Sequence, residues 1–109
     1  MHELAIAESI IQAVQTRIGD QPVRAVQLQV GQLSGVFPDA LTFSFELAAH
    51  GTALEGAQLL IEEPRGRLHC RSCGQDVDRD DPVLLCVCGS ADVDVTAGRE
   101  LLLVSVEVA

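Results

Sequence analysis

All four cysteines of the chain fall in one segment. Cys70-Arg71-Ser72-Cys73-Gly74 sets two thiols two residues apart. After a polar, acidic run, Cys86-Val87-Cys88-Gly89 sets two more with a single residue between them. Two close pairs joined by a short loop are what a tetrahedral, four-thiolate zinc site requires. A glycine after each pair lets the backbone turn and aim N–H groups back at the sulfurs. The second pair has a shortened spacer, so its turn must be tighter or more extended than the first; along an extended segment, alternation still brings Cys86 and Cys88 to one side. A disulfide pair and a redox dithiol are the other chemistries open to these thiols. A rubredoxin-like iron site also uses four thiolates, but here it would meet an irregular second pair and few aromatics to shield it. Four buried thiols without metal fit poorly, because Arg67, Asp76, Asp78, Asp80 and Asp81 leave little apolar surrounding.

The first three residues offer a second metal chemistry. A large residue at position 2, such as His2, normally prevents removal of the initiator methionine, so the free α-amine is expected on Met1. That amine, the backbone nitrogen of His2 and the imidazole of His2 can close adjacent chelate rings around one ion, with the backbone nitrogen of Glu3 as a fourth ligand. Four nitrogens in a plane suit Ni(II) or Cu(II) and not Zn(II). Position alone also allows a solvated terminal histidine that binds nothing. Of the other histidines, His50 falls where an imidazolium would favour the end of a helix dipole. His69 is read as a neighbour of the zinc site or a surface group, since four thiolates already fill a structural site.

The elements that must carry these groups are legible from period. Between Glu3 and Ile18, Leu4, Ala7, Ile11, Val14 and Ile18 recur at helical spacing with Ile10 beside them, and Gly19-Asp20 and Pro22 end the run. From Val23 to Gly31, Val26, Leu28 and Val30 alternate with Gln27 and Gln29, as in a strand with one buried face. A loop from Gly31 to Pro38 leads to a second helix, Asp39 to His50, with Leu41, Phe45 and Ala48 on one stripe. Pro38 suits its start and Gly51 its end. Ala57 to Glu63 reads as a short strand. Arg99 to Val108 is the longest and most apolar, with Leu102, Val104, Val106 and Val108 on one side and Leu101, Leu103, Ser105 and Glu107 on the other. The expected fold is α+β: two helices packed on a three-stranded sheet, with a zinc-ribbon-like knob inserted before the last strand. Residues 1–63, completed by 99–109, form one domain, and 64–98 the zinc-binding domain.

With 109 residues the chain has room for one modest core and a metal-stapled appendage. A formal charge of -9, no lysine and scattered arginines argue against a polyanionic partner, so no nucleic acid is expected. Phe37, Phe43 and Phe45 are the only aromatics and form no stacking platform. The apolar runs are too short to span a bilayer and no basic leader opens the chain, so the expected compartment is cytoplasmic, with no membrane contact. No Ser-His-Asp or Cys-His arrangement and no phosphate-binding glycine loop is present, so the expectation is that the chain is not an enzyme.

Several stretches together resemble one known family along nearly the whole chain: Met1-His2-Glu3-Leu4, Gly31-Gln32-Leu33-Ser34-Gly35-Val36, Phe45-Glu46-Leu47, the paired cysteines, and Gly98-Arg99-Glu100-Leu101. The sequence resembles the HypA/HybF nickel-insertion accessory proteins of NiFe-hydrogenase maturation. The resemblance implies a nickel metallochaperone that binds Ni(II) through Met1, His2 and Glu3. It also implies structural zinc on Cys70, Cys73, Cys86 and Cys88, and docking with the nickel GTPase HypB and the hydrogenase large subunit. Some relatives also serve urease. The family usually shows Cys-Pro-x-Cys at the second pair, and Cys86-Val87-Cys88 departs from it. Transfer would proceed by ligand exchange, with nickel affinity falling as pH drops toward and below about 6.5, because protons compete for amine and imidazole nitrogens. The alternative is a structural zinc-ribbon adaptor that binds another protein and carries no second metal.

Overall fold

The computed structural model describes residues 2–109. In chain order it contains α1 (Glu3–Ile18), β1 (Val23–Val30), α2 (Pro38–Ala49), β2 (Gln58–Glu62), β3 (Gly66–Cys70), β4 (Asp76–Arg79), β5 (Val93–Ala97) and β6 (Leu101–Val108). The architecture is α+β, as the patterning implies. Two helices pack on a three-stranded sheet ordered β2-β1-β6, and the cysteine segment builds a second sheet, ordered β4-β3-β5, before the last strand.

β1 is the centre of the first sheet. It pairs parallel with β2, Val26 opposite Leu59 and Leu28 opposite Ile61, and antiparallel with β6. Parallel neighbours need a crossover, and α2 supplies it. Val26, Leu28 and Val30 meet Ala7, Ile11 and Val14 of α1 and Leu41, Phe45 and Ala49 of α2 in one buried cluster. The α2 stripe thus ends on Ala49, with Ala48 only partly buried.

Two details depart from the periodic reading. In α1, Leu4 is half exposed while Glu3 is only 5% exposed. Glu3 lies against the start of α2, where the Phe37 N–H donates to its Oε2 at 3.3 Å. Phe37 is the N-cap and has no side chain that caps, so a carboxylate from another helix supplies the acceptor. In β6, the register shifts between Gln27, opposite Ser105, and Leu28, opposite Leu103, so Val104 is an extra residue in a β-bulge. The bulge resets the alternation. Leu101, Leu103 and Val106 stand opposite Val30, Leu28 and Val26, and Leu102 stands opposite Gln29. β6 is an edge strand, and of its residues only Val106 is even partly buried.

The two sheets join at a close-packed crossing. Loop N–H groups of Gly31, Gln32 and Leu33 donate to the carbonyls of Glu100, Pro64 and Gly98 at 2.8, 3.0 and 2.7 Å. A Cβ on Gly66 would lie 2.0 Å from the Arg79 carbonyl oxygen and 2.6 Å from the Leu33 side chain, so only glycine lets the strands approach this closely. The molecule is 52 Å long and 21 by 18 Å across. No helix among the described residues is long and apolar enough to cross a membrane.

Candidate metal centre

β3 delivers Cys70 at its last residue, and Cys73 follows in the turn toward β4. The Gly74 N–H closes that turn on the Cys70 carbonyl at 2.9 Å. Cys86 and Cys88 lie on a second turn, closed by the Gly89 N–H on the Cys86 carbonyl at 2.9 Å. The shortened pair is therefore the tight form and not the extended one. Gly74 and Gly89, with φ of 79° and 92°, provide the left-handed residue each turn needs.

The four sulfurs lie within 4.8 Å of one another. Cys70 and Cys88 Sγ are 3.7 Å apart, and Cys73 and Cys86 Sγ 3.6 Å. A tetrahedron built on a Zn–S distance of about 2.3 Å has edges of about 3.8 Å, so the donor set fits a tetrahedral thiolate metal. A disulfide needs sulfurs about 2.05 Å apart, and all four thiols are free. Among the described residues, this is the one group of three or more Cys, His, Asp or Glu side chains within ligating reach of a common ion.

The electrostatics call for a cation. The N–H groups of Cys73 and Ser72 point at Cys70 and, against its burial, lower its thiol to about 6. At Cys73 the Gln75 N–H works in the same direction, but burial and the sulfurs of Cys70, Cys86 and Cys88 push the thiol up to about 12. Cys88 is also raised: the Ser90 N–H favours its thiolate, but Cys86, burial and Cys70 outweigh it. The cluster can ionise once with backbone help, and further thiolates then repel it. A divalent ion removes that repulsion. The donors come from residues beside the glycines, in line with the expected role of the two turns.

Charged and polar pairs hold the two turns together. Arg71 reaches Asp92 through Nε at 2.8 Å and Nη2 at 2.7 Å, and its Nη1 donates to Asp94. Ser72 and Ser90 hydroxyls meet at 2.8 Å across the pairs, and Arg79 donates to the Leu85 carbonyl at 2.8 Å, just ahead of Cys86. The sequence reading missed this brace; its only signal was a basic residue inside the first pair facing later aspartates. His69 stays outside the sulfur cluster, its Nδ1 2.8 Å from Asp76 Oδ1 on the neighbouring strand. His50 does not cap α2 with its side chain; Nδ1 lies 3.4 Å from Glu55 Oε2.

At the other end, His2 is the N-cap of α1, exposed, with its carbonyl accepting the Ile6 N–H at 3.0 Å. Glu3 is buried against Phe37, and hydrogen bonds donated to its carboxylate hold it below the usual range. Met1, the remaining member of the terminal constellation, lies outside the described residues. Neither His2 nor Glu3 joins the sulfur cluster.

Fold and centre together define a small α+β protein with four cysteines clustered at the spacing of a tetrahedral metal site. Comparison with known proteins gives the particular kind. The HypA family, described as hydrogenase/urease nickel incorporation, metallochaperone, matches residues 1–108. A hydrogenase maturation factor HypA of Streptomyces avermitilis is 47% identical over 112 residues, covering 97% of this chain and 86% of its own. One from Nostoc sp. is 40% identical, covering 99% and 96%. The solution structure of the Ni metallochaperone HypA from Helicobacter pylori shares the fold, with a TM-score of 0.64 over 99% of this chain and 97% of its own at 21% identity. This chain belongs to the HypA family.

Proposed function

We propose that the chain is a nickel metallochaperone and not an enzyme, loading Ni(II) for NiFe-hydrogenase maturation in the cytoplasm while zinc on Cys70, Cys73, Cys86 and Cys88 keeps its second sheet folded. The observation that carries the reading is the contrast between the two ends. An exposed imidazole stands at a helix start, and four sulfurs close in a braced cage elsewhere. The cage suits a resident ion. The terminus suits cargo.

Helix geometry favours the terminal site. The first N–H groups of a helix have no carbonyl partner four residues back, so the backbone amides of His2 and Glu3 can release their protons to solvent and bind metal through nitrogen without breaking the α1 ladder. With the Met1 amine and the His2 imidazole they make a planar nitrogen set suited to Ni(II). A partner can then open an exposed chelate one ligand at a time. The partners in this reading are the nickel GTPase HypB and the hydrogenase large subunit. The Glu3 carboxylate accepts the Phe37 N–H, so its part in this reading is to pin the helix start while its backbone nitrogen binds.

Metal analysis after nickel addition tests both halves. Wild type should carry one nickel and one zinc per chain, and His2→Ala zinc alone. Equal nickel content in the two proteins would refute the terminal site and leave a zinc-held adaptor.

A further inference from the structure

α2 leaves two large apolar side chains in water. Phe43 and Leu47, one turn apart, are 63% and 58% exposed, while Leu41, Phe45 and Ala49 of the same helix are buried. Phe37, its N-cap, is 67% exposed. The chain has three phenylalanines and no tyrosine or tryptophan, so two of its three aromatic rings lie outside the core. An aromatic and a leucine at i and i+4 on a helix are the anchors of a helix-in-groove contact. The flanking charge has one sign. Asp39 and Glu46 fall one turn before and one turn after Phe43, and α2 contains no lysine or arginine. The N-cap of the same helix touches the first turn of α1, where the Phe37 N–H is bonded to Glu3.

We propose that the outer face of α2 docks the protein that receives the nickel ion, seating Phe43 and Leu47 in an apolar groove rimmed by lysine and arginine. This rests on the carrier reading above. Charge selects such a partner over a second copy: each copy carries -9, and a two-fold contact would set Asp39 and Glu46 against the same acids. Placement selects the recipient. A protein held on α2 brings its own metal ligands beside His2, where ligand exchange needs them.

The test uses the full-length, zinc-loaded chain and the hydrogenase large-subunit precursor as probe. Phe43→Ala/Leu47→Ala should weaken precursor binding at least about tenfold in calorimetry and slow nickel transfer correspondingly. Nickel affinity and melting temperature should stay at wild-type values, since neither side chain lies in the core. Glu46→Lys should also weaken binding, and added salt should slow association. The inference is overturned if wild type shows no binding to the precursor, if the double variant binds and transfers like wild type, if the loss is confined to the nickel GTPase, or if only self-association changes. Nickel titrations run before the precursor is added separate these outcomes from failure of the carrier reading, in which wild type would hold no nickel at all.

Discussion

Removing the metal from the reduced protein with a chelator should melt the second sheet and spare the first. The asymmetry follows from burial. Ala7, Ile11, Val14, Val26, Leu28, Val30, Leu41, Phe45, Ala49 and Leu54 form one buried cluster around β1. In the segment from β3 through β5, Leu68 is the one large apolar side chain fully withdrawn from water, accompanied by Cys70 and Cys86. A buried leucine contributes about 1.5–3 kcal/mol. Ordering backbone costs on the order of 1–2 kcal/mol per residue, and β3, β4 and β5 alone hold five, four and five residues. Structural zinc contributes on the order of 10 kcal/mol or more in small metal-folded units, far above what Leu68 provides. Hydrogen exchange reads the outcome. Amides of Leu68 and Val95 should lose protection on chelation, while those of Leu28 and Phe45 keep theirs. The thiols give a second readout: the lowered pKa of Cys70, about 6, belongs to the folded turn, so in the chelated protein it should revert to the ordinary value of about 8.5. Persistent protection of β3–β5, together with a thiolate still titrating near 6, would refute the argument.

Three further outcomes follow from the same geometry. Gly66→Ala should cost on the order of 3 kcal/mol or more, because its Cβ would meet the Arg79 carbonyl at 2.0 Å and the β4 backbone must move; a thermal melt within a degree or two of wild type would count against it. Arg71→Ala removes the tie from the first pair to Asp92 and Asp94, both half exposed, so the stability cost should be small; zinc loss to a chelator should nevertheless quicken several-fold in stopped-flow mixing, and an unchanged rate would contradict the bracing role. Metal binding needs thiolates, so protons compete with the ion for the four sulfurs and the zinc-held fold of the second sheet should weaken as pH falls. Protection of β3 in the zinc-loaded protein, corrected for intrinsic exchange, should therefore decline with falling pH together with the zinc content, and a flat profile would argue against it.

How much of this was legible in sequence depended on whether the determining contacts were local. The cysteine pairs were readable because ligand spacing and the following glycines are local features, and the bounds of α1 followed from its period and the Gly19 stop. The contact between the Glu3 carboxylate and the Phe37 N–H joins residues 34 apart; no period announces it, so Leu4 was assigned the buried place that Glu3 holds. In β6 the alternation failed for a different reason. When both faces of a strand are apolar, a one-residue bulge changes every assignment beyond it without leaving a mark in composition.

The same limit explains why apolar residues so often ended up in water. Composition reports how many apolar side chains a segment has, while topology decides how many can be covered. The β1-α2-β2 crossover puts β2 on one side of β1 and leaves β6 as the opposite edge, so the most apolar strand of the chain is nearly all exposed. α2 can turn only one face to the sheet; Leu41, Phe45 and Ala49 fill it, and Phe43 and Leu47 are surplus to the core. On β6 the surplus lies along an edge strand with a single charge, Glu107, already paired with Arg24 at 3.1 Å, and it carries no sign by which to choose a partner. On α2 it is flanked by two carboxylates, on the helix whose N-cap meets the first turn of α1, so position and charge together give that surface a direction the strand lacks.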